Sequence, residues 1–206
     1  EQCNSGSFTM SANTPLVGTG SWSLVSGTAT ITDPANEATT VTGVPAGSSA
    51  ILRWTISNGG VCAPSFDEVV LTNTASPSIA DAGVDIEQCN TGIFTMAATV
   101  PAVGTGQWSI QSGTANITNA ASPTTTVTGV PVGTSAVVRW TISNGSCADT
   151  FEDIVLTNTA PAPVAAAGAD QEQCNNGDFT LAGNAPAPGT GLWTIVGAAN
   201  GAVVTT

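Results

Sequence analysis

Few side chains in this sequence have the chemistry of an active site. The 206 residues include five cysteines, fourteen acidic residues and two arginines, and histidine is absent. Without histidine, neither a Ser-His-Asp nor a Cys-His arrangement can be assembled within the chain. Adjacent carboxylates at Asp67–Glu68 and Glu152–Asp153 are of a type that can perform general acid–base catalysis. Both pairs lie directly before an apolar strand, at the same place in two copies of a repeat, so we interpret them as solvated strand starts and expect no enzymatic activity.

The repeat is visible in the order of its landmarks. The segment EQCNSGSFTM at Glu1 returns as EQCNTGIFTM at Glu87 and as EQCNNGDFTL at Glu172. Cys3 and Cys89 are 86 residues apart, and Cys89 and Cys174 are 85 residues apart. This period exceeds that of solenoid units, which is ~20–50 residues, and suits a small domain with its own core. We therefore predict repeat 1 at 1–79, repeat 2 at 80–164, and the incomplete N-terminal part of repeat 3 at 165–206.

The cysteines favour one disulfide bond per repeat. Each full repeat has a cysteine near its start and another late, which predicts the pairs Cys3–Cys62 and Cys89–Cys147, with Cys174 pairing beyond residue 206. No CxxC motif is present, so zinc is not expected. Disulfide bonds persist in oxidising compartments, and we expect an extracellular protein. A closed loop from Cys3 to Cys62 would leave mainly residues 63–86 to extend under tension, by roughly 80–90 Å.

Alternation of apolar and polar residues predicts the elements that hold these side chains. Leu52, Trp54 and Ile56 share one face of a strand, and Arg53, Thr55 and Ser57 share the other. Such alternation indicates half-buried antiparallel strands, and Gly- and Pro-containing breaks separate them. About seven short strands per repeat indicate an all-β protein of tandem immunoglobulin-like β-sandwich domains, arranged as beads on a string.

The aromatic and basic residues have structural interpretations. Five tryptophans could form a sugar-binding platform, but they stand at alternating apolar positions, so we favour core packing. Arg53 and Arg139 lie on the polar face of equivalent strands, which predicts a cross-strand or stacking role. With a net charge of −12 and only two basic residues, the chain is not expected to bind nucleic acid. No apolar run reaches the ~20 residues of a membrane span, so no membrane insertion is expected in this segment.

The succession EQC, GTGxW, TVTGV, RWTISNG and DEVVLTNT resembles the PKD-like, immunoglobulin-like repeats of giant surface proteins of Bacteroidota. The resemblance covers essentially the whole chain. It implies a structural segment of a long cell-surface adhesin filament, exported by type IX secretion and involved in gliding motility or surface attachment. Its implied partners are further repeats of the same chain and a surface polysaccharide or other substratum. A passive stalk that displays an enzyme or binding domain located elsewhere in the full-length chain is the alternative.

Two ligand hypotheses and two expectations about the chain remain from the sequence. Asp85 with Glu87, and Asp170 with Glu172, lie at the repeat junctions, where carboxylates could bind Ca²⁺; no other cofactor is expected. Thr-rich segments at 28–32 and 124–129 could form flat binding arrays, although β-propensity alone explains them. The Pro-containing segments between repeats are predicted to be semi-rigid, solvated spacers. The strands missing from repeat 3 are expected from further sequence of the same polypeptide.

Overall fold

The folded part of the chain consists of two β-sandwich domains in series. The structure is a computed structural model that describes residues 1–60, 62–174, 177–197 and 201–204. The strands of domain 1 are β1 (Gln2–Cys3), β2 (Phe8–Thr9), β3 (Thr19–Ser26), β4 (Thr30–Ile31), β5 (Thr40–Thr42), β6 (Ser48–Ser57) and β7 (Ser65–Thr74). Those of domain 2 are β8 (Ile86–Cys89), β9 (Ile93–Thr95), β10 (Thr105–Ser112), β11 (Asn116–Ile117), β12 (Thr126–Thr128), β13 (Thr134–Ser143) and β14 (Thr150–Thr159).

The two domains share one topology. In domain 1 a sheet of order β1-β7-β6-β3 packs on a sheet of order β2-β5-β4, and in domain 2 a sheet of order β8-β14-β13-β10 packs on one of order β9-β12-β11. The first strand of each domain runs parallel to the last, and the other pairings are antiparallel. The described residues contain no helix. These features confirm the prediction of tandem immunoglobulin-like β-sandwiches.

The cores follow the predicted alternation. Leu52 and Trp54 of β6 point into domain 1, while Arg53 between them lies on the outer face. The core of domain 1 takes its buried apolar residues from Phe8 to Leu71, and that of domain 2 from Ala80 to Leu156. No buried core residue of either cluster lies between Leu71 and Ala80, and the boundary between residues 79 and 80 stays a prediction. At the centre of each core two tryptophans pack with ring centroids 5.2 Å apart, a spacing favourable for aromatic pairs.

The segment between the domains is not the solvated spacer that Pro77 predicted. Ala80 and Ala82 are buried in the core of domain 2, and the backbone of Ser78 donates a hydrogen bond to the carbonyl of Val103. We call residues 78–85 the linker segment. Ala80 and Ala82 alternate with the exposed Ile79 and Asp81, so the segment presents a narrow apolar edge to the core of domain 2. The linker segment is therefore part of domain 2.

The described residues of repeat 3 form no core. Residues 165–174, 177–197 and 201–204 are all exposed, and none of them forms a strand. The backbone of Asn184 still donates to the carbonyl of Ala166, as Thr99 donates to Asp81 in domain 2. Residues 165–206 contain no counterpart of the sequences of β13 and β14, which pair with β10 and β8 in domain 2. Residues 175–176, 198–200 and 205–206 of the predicted third repeat lie outside the described residues.

Candidate functional site at the domain junction

A disulfide bond joins the two domains. Cys3 of domain 1 is bonded to Cys147 of domain 2, with their Cα atoms 4.9 Å apart and a sequence separation of 144. The predicted pairs Cys3–Cys62 and Cys89–Cys147 are therefore not those of the structure, in which Cys62, Cys89 and Cys174 are exposed free thiols. Closing a loop of this length stabilises the folded state by about 5 kcal/mol in the chain-entropy model.

The sandwich topology explains why the predicted pairing fails. Cys3 lies beside Thr74, at the end of β7, whereas Cys62 precedes the beginning of the same strand at Ser65. Ten residues of strand at ~3.3 Å each place the two cysteines roughly 30 Å apart. A disulfide bond needs Cα atoms within about 7 Å. The same argument separates Cys89, beside Thr159, from Cys147, which precedes β14.

Contacts around the disulfide bond fasten the loop before Cys147 to the end of domain 1. The side-chain amide of Asn144 donates to the carbonyl of Ala75 at 2.7 Å. The hydroxyl of Thr74 donates to Glu1 Oε1 at 2.7 Å. This bond, followed by hydrogen bonds from Ser146 of domain 2, lowers the pKa of Glu1. Both domains thus supply donors to one carboxylate at the junction.

Gly145 lies against the end of domain 1. Its φ is +56°, a conformation that favours glycine. A Cβ added at this position would lie 2.9 Å from Glu1 Oε1 and 3.0 Å from Thr74 Cγ2 of domain 1. Sequence reasoning gave no role to Asn144 or Gly145. The tripeptide Ser-Asn-Gly, which precedes the late cysteine in both full repeats, could have indicated that these residues matter.

The linker segment is held along the edge of domain 2. The hydroxyl of Thr150 donates to the carbonyl of Ser78 at 2.6 Å and accepts from the backbone of Ala80 at 3.1 Å. The backbone of Ala82 donates to Glu152 Oε2 at 2.6 Å. The Ser78 hydroxyl accepts the backbone N–H groups of residues 102 and 103. The chain thus leaves domain 1 already attached to domain 2.

Two of the four carboxylates predicted to bind calcium have protein partners in domain 2, whereas Asp170 and Glu172 are exposed in repeat 3. Asp85 Oδ1 accepts the backbone N–H of Val155 at 2.8 Å, and Glu87 Oε1 accepts the hydroxyl of Thr159 at 2.6 Å. Within the part of the chain that the structure describes, no three His, Cys, Asp or Glu side chains are grouped as a metal site would require. Calcium at the junctions stays a prediction, for which thermal unfolding with Ca²⁺ and with a chelator is the measurement.

The remaining predicted site residues have structural contacts. The guanidinium of Arg53 forms an ion pair with Glu68 and lies over the Phe66 ring, 4.1 Å from its centroid. Arg139 does the same with Asp153 and Phe151, at 3.8 Å. These contacts confirm the cross-strand and stacking role. Four of the five tryptophans are buried core residues, and Trp193 of repeat 3 is partly exposed. The paired carboxylates also have structural contacts. Glu68 and Asp153 accept hydrogen bonds from arginines of the neighbouring strands, and Glu152 accepts one from the linker segment.

No helix among the described residues is long and apolar enough to cross a membrane.

Comparison with known proteins finds similarity among solved structures only. No protein family and no curated protein matches the chain. Extracellular domains 3–5 of Drosophila OTK share 14% identity at a TM-score of 0.43, and the alignment covers 76% of this chain and 57% of that structure. The insect immune protein hemolin shares 14% identity at a TM-score of 0.38, and the alignment covers 76% of this chain and 44% of that structure. An I-band fragment of titin shares 11% identity at a TM-score of 0.44, and the alignment covers 78% of this chain and 62% of that structure. The chain thus spans less than two thirds of each of these structures.

Proposed function

We propose that this chain is a load-bearing structural segment of an extracellular surface filament and has no catalytic role. The observation that supports the proposal most directly is the Cys3–Cys147 bond across the junction. A disulfide bond of this kind persists in an oxidising compartment such as the cell exterior. A bond between neighbouring domains fixes their distance in addition to stabilising each domain, and a filament under drag requires a fixed distance.

The bond also determines which residues carry tension. Force applied at the two ends of the chain passes from Cys3 through the disulfide bond to Cys147, so residues 4–146 are bypassed. Of the folded part, mainly residues 148–159 can then be extended, by roughly 40 Å at ~3.3–3.6 Å per residue. With the bond reduced, the whole of both domains can extend, by more than about 500 Å before subtraction of their folded length.

Single-molecule pulling on the full chain, oxidised and reduced, tests this function. We expect short extension in the oxidised protein and two long unfolding steps in the reduced protein. The matched control is the double variant Cys62→Ser/Cys89→Ser, which should behave as the parent because neither residue belongs to the bond. Cys3→Ser/Cys147→Ser should give long steps under both conditions. Long steps in the oxidised parent would contradict the load-bearing role.

The adhesive version of the proposal extends it to attachment or gliding motility of a Bacteroidota cell, with a polysaccharide or other substratum as partner. Its support is the resemblance of the repeat motifs to those of giant surface adhesins. A passive stalk is the competing function, and the composition of the full-length polypeptide separates the two. Many such repeats without a catalytic domain favour the adhesin, whereas few repeats beside an enzyme domain favour the stalk.

A further inference from the structure

The turn that fastens domain 2 to domain 1 contains an asparagine followed by a glycine. Asn144 and Gly145 precede Cys147, and the carbonyl of Asn144 accepts the backbone N–H of Cys147 at 3.1 Å. In an Asn-Gly sequence the backbone nitrogen of the glycine readily attacks the side-chain amide of the asparagine, because glycine has no Cβ to hinder the approach. The junction is thus built around a dipeptide that is prone to deamidation.

Deamidation of this dipeptide needs only water as a co-reactant. The nitrogen of Gly145 gives up its proton to solvent and forms a bond to Cγ of Asn144. The bond between Cγ and Nδ2 breaks, and Nδ2 takes up a proton and leaves as ammonia. Water then opens the resulting succinimide ring at either of its carbonyls, which leaves aspartate or isoaspartate at position 144.

The closed junction opposes the first of these steps. Nδ2 of Asn144 donates to the carbonyl of Ala75 at 2.7 Å. The turn is held at its other end by Cys147, which is 6% exposed and bonded to Cys3. Ring closure has to bring Cγ of Asn144 onto the nitrogen of Gly145, and this movement takes Nδ2 away from Ala75. Attack is therefore disfavoured while these contacts are in place.

The partners that restrain this turn belong to domain 1. Ala75 follows the end of β7, and Cys3 is the last residue of β1. Gly145 lies against Glu1 of the same domain. Because each domain has a core of its own, separation of the domains removes these contacts while both cores stay folded. The reactivity of Asn144 thus depends on whether the junction is open or closed.

The product of deamidation does not fit the closed junction. A carboxylate at position 144 accepts hydrogen bonds but does not donate them, so it cannot replace the bond to the carbonyl of Ala75. It would also add a negative charge beside Glu1, whose Oε1 lies 2.9 Å from the position of a Cβ on Gly145. The two arginines of the chain form ion pairs on the outer faces of the sheets, so neither neutralises this charge.

We propose that Asn144 is a deamidation site controlled by the domain junction: the amide survives while the junction is closed and is converted to aspartate or isoaspartate once the junction opens. Because the product cannot restore the contact with Ala75, a junction that stays open loses part of its ability to close. The modification thereby makes an opening by reduction or by force permanent. This inference rests on the junction contacts and not on the proposed function.

Mass spectrometry of the full chain in mildly alkaline buffer measures the rate of deamidation at Asn144. The oxidised parent is compared with the variant Cys3→Ser/Cys147→Ser, which lacks the covalent bond, and with a peptide of residues 141–148 as the unprotected reference. We expect the parent to react many times more slowly than the peptide, and the variant to react severalfold faster than the parent. A parent that reacts as fast as the peptide, or as fast as the variant, would overturn the proposal.

The circular dichroism of the buried tryptophans shows whether the domains of the Cys3→Ser/Cys147→Ser variant are folded. We expect the same spectrum as for the parent, so that faster deamidation comes from an open junction. The comparison of the parent with the peptide does not involve this variant, and it keeps the proposal testable if the variant is unstable.

The variant Asn144→Asp tests the effect of the product. We expect the equilibrium constant for forming the Cys3–Cys147 bond in a glutathione buffer to fall severalfold. Asn119→Asp is the matched control, because the side-chain oxygen of Asn119 accepts a backbone N–H in an exposed turn of domain 2 as that of Asp33 does in domain 1. It adds the same charge and should leave the constant unchanged.

A constant that Asn144→Asp leaves unchanged, or that both substitutions lower equally, would contradict the predicted effect of the product and overturn the proposal. The pulling experiment reads the path of force through the Cys3–Cys147 bond and does not depend on deamidation. Failure of this inference is therefore distinguishable from failure of the proposed function.

Discussion

At the scale of single residues, the glycine and asparagine of two repeated motifs have packing roles. In GTGxW, the second glycine lies under the tryptophan of the neighbouring strand: a Cβ on Gly20 would overlap the ring of Trp54, and one on Gly106 that of Trp140. In LTNT, the buried side chain of Asn73 donates to the carbonyl of Val44 at 2.8 Å, as Asn158 does to Val130. Each asparagine thereby fixes the loop between the two sheets.

Protonation of Asp153 is the prediction at this scale. Arg139 donates to its two carboxylate oxygens at 2.7 and 2.9 Å, and these bonds lower the pKa of Asp153 below its ordinary value. Because the folded pKa is the lower one, the stabilisation is present above the unfolded pKa and is lost as the pH falls through the folded pKa. The effect on stability should be small, since the pair is partly exposed and screened by salt.

NMR titration of the Asp153 carboxyl measures this pKa directly. The variant Arg139→Gln should return it toward the ordinary value, and 1 M salt should do so in part. A titration curve that is the same in the parent and in Arg139→Gln would show that the ion pair is not formed in solution.

At the scale of elements, the linker segment is the part whose sequence was misinterpreted. Pro77, directly before it, indicated a spacer, but the spacing of Ala80 and Ala82 has the period of two that a strand edge requires. Small side chains are what the slot between two sheets can accept. The linker segment therefore packs as a strand does although its composition is that of a loop. Its contacts with the core of domain 2 show that it packs as a strand edge.

The variant Ala82→Asp tests this assignment. A carboxylate at this position would be buried without a cationic partner, so domain 2 should lose on the order of 3 kcal/mol of its free energy of unfolding. Residue-resolved hydrogen exchange would locate the loss in domain 2. Ala167→Asp is the matched control, because the same change at the exposed counterpart should cost little. Equal effects of the two substitutions would mean that the linker segment does not pack in solution.

At the scale of the whole molecule, the two domains are joined at three places: the polypeptide itself, the Cys3–Cys147 bond and the hydrogen bonds around Asn144. Glu1, Thr74 and Gly145 approach closely there. The bond links the end of one sandwich to the beginning of the next, so it restricts bending between domains.

The variant Gly145→Ala should weaken this junction. Its Cβ would meet Glu1 and Thr74, so we expect the equilibrium constant for forming the Cys3–Cys147 bond in a glutathione buffer to fall severalfold. Gly59→Ala imposes the same backbone strain at a position with nothing nearby, and it should leave that constant unchanged. If both substitutions lowered it equally, the effect would come from backbone strain and the close contact would have no role.

The sequence alone determined the all-β fold and the inward-facing residues. Alternate side chains of a strand point to the same face, so the apolar Leu52 and Trp54 indicate which face of their strand is buried. This inference needs no information about residues distant in sequence. Because the sequence motifs recur in the second repeat, they indicate the position of each strand independently in two domains. The structural roles of Arg53 and Arg139 followed from the same alternation.

Only the tertiary structure decided the pairing of the cysteines and the place of the linker segment. Spacing along the chain does not reveal that Cys3 and Cys62 lie at opposite ends of β7. It also does not reveal that the end of β7 beside Cys3 faces Cys147 of the next domain. The slot that buries Ala80 and Ala82 likewise exists only once two sheets have packed. Both features depend on distances between elements that are far apart in sequence, and these distances are set by the packing of whole strands.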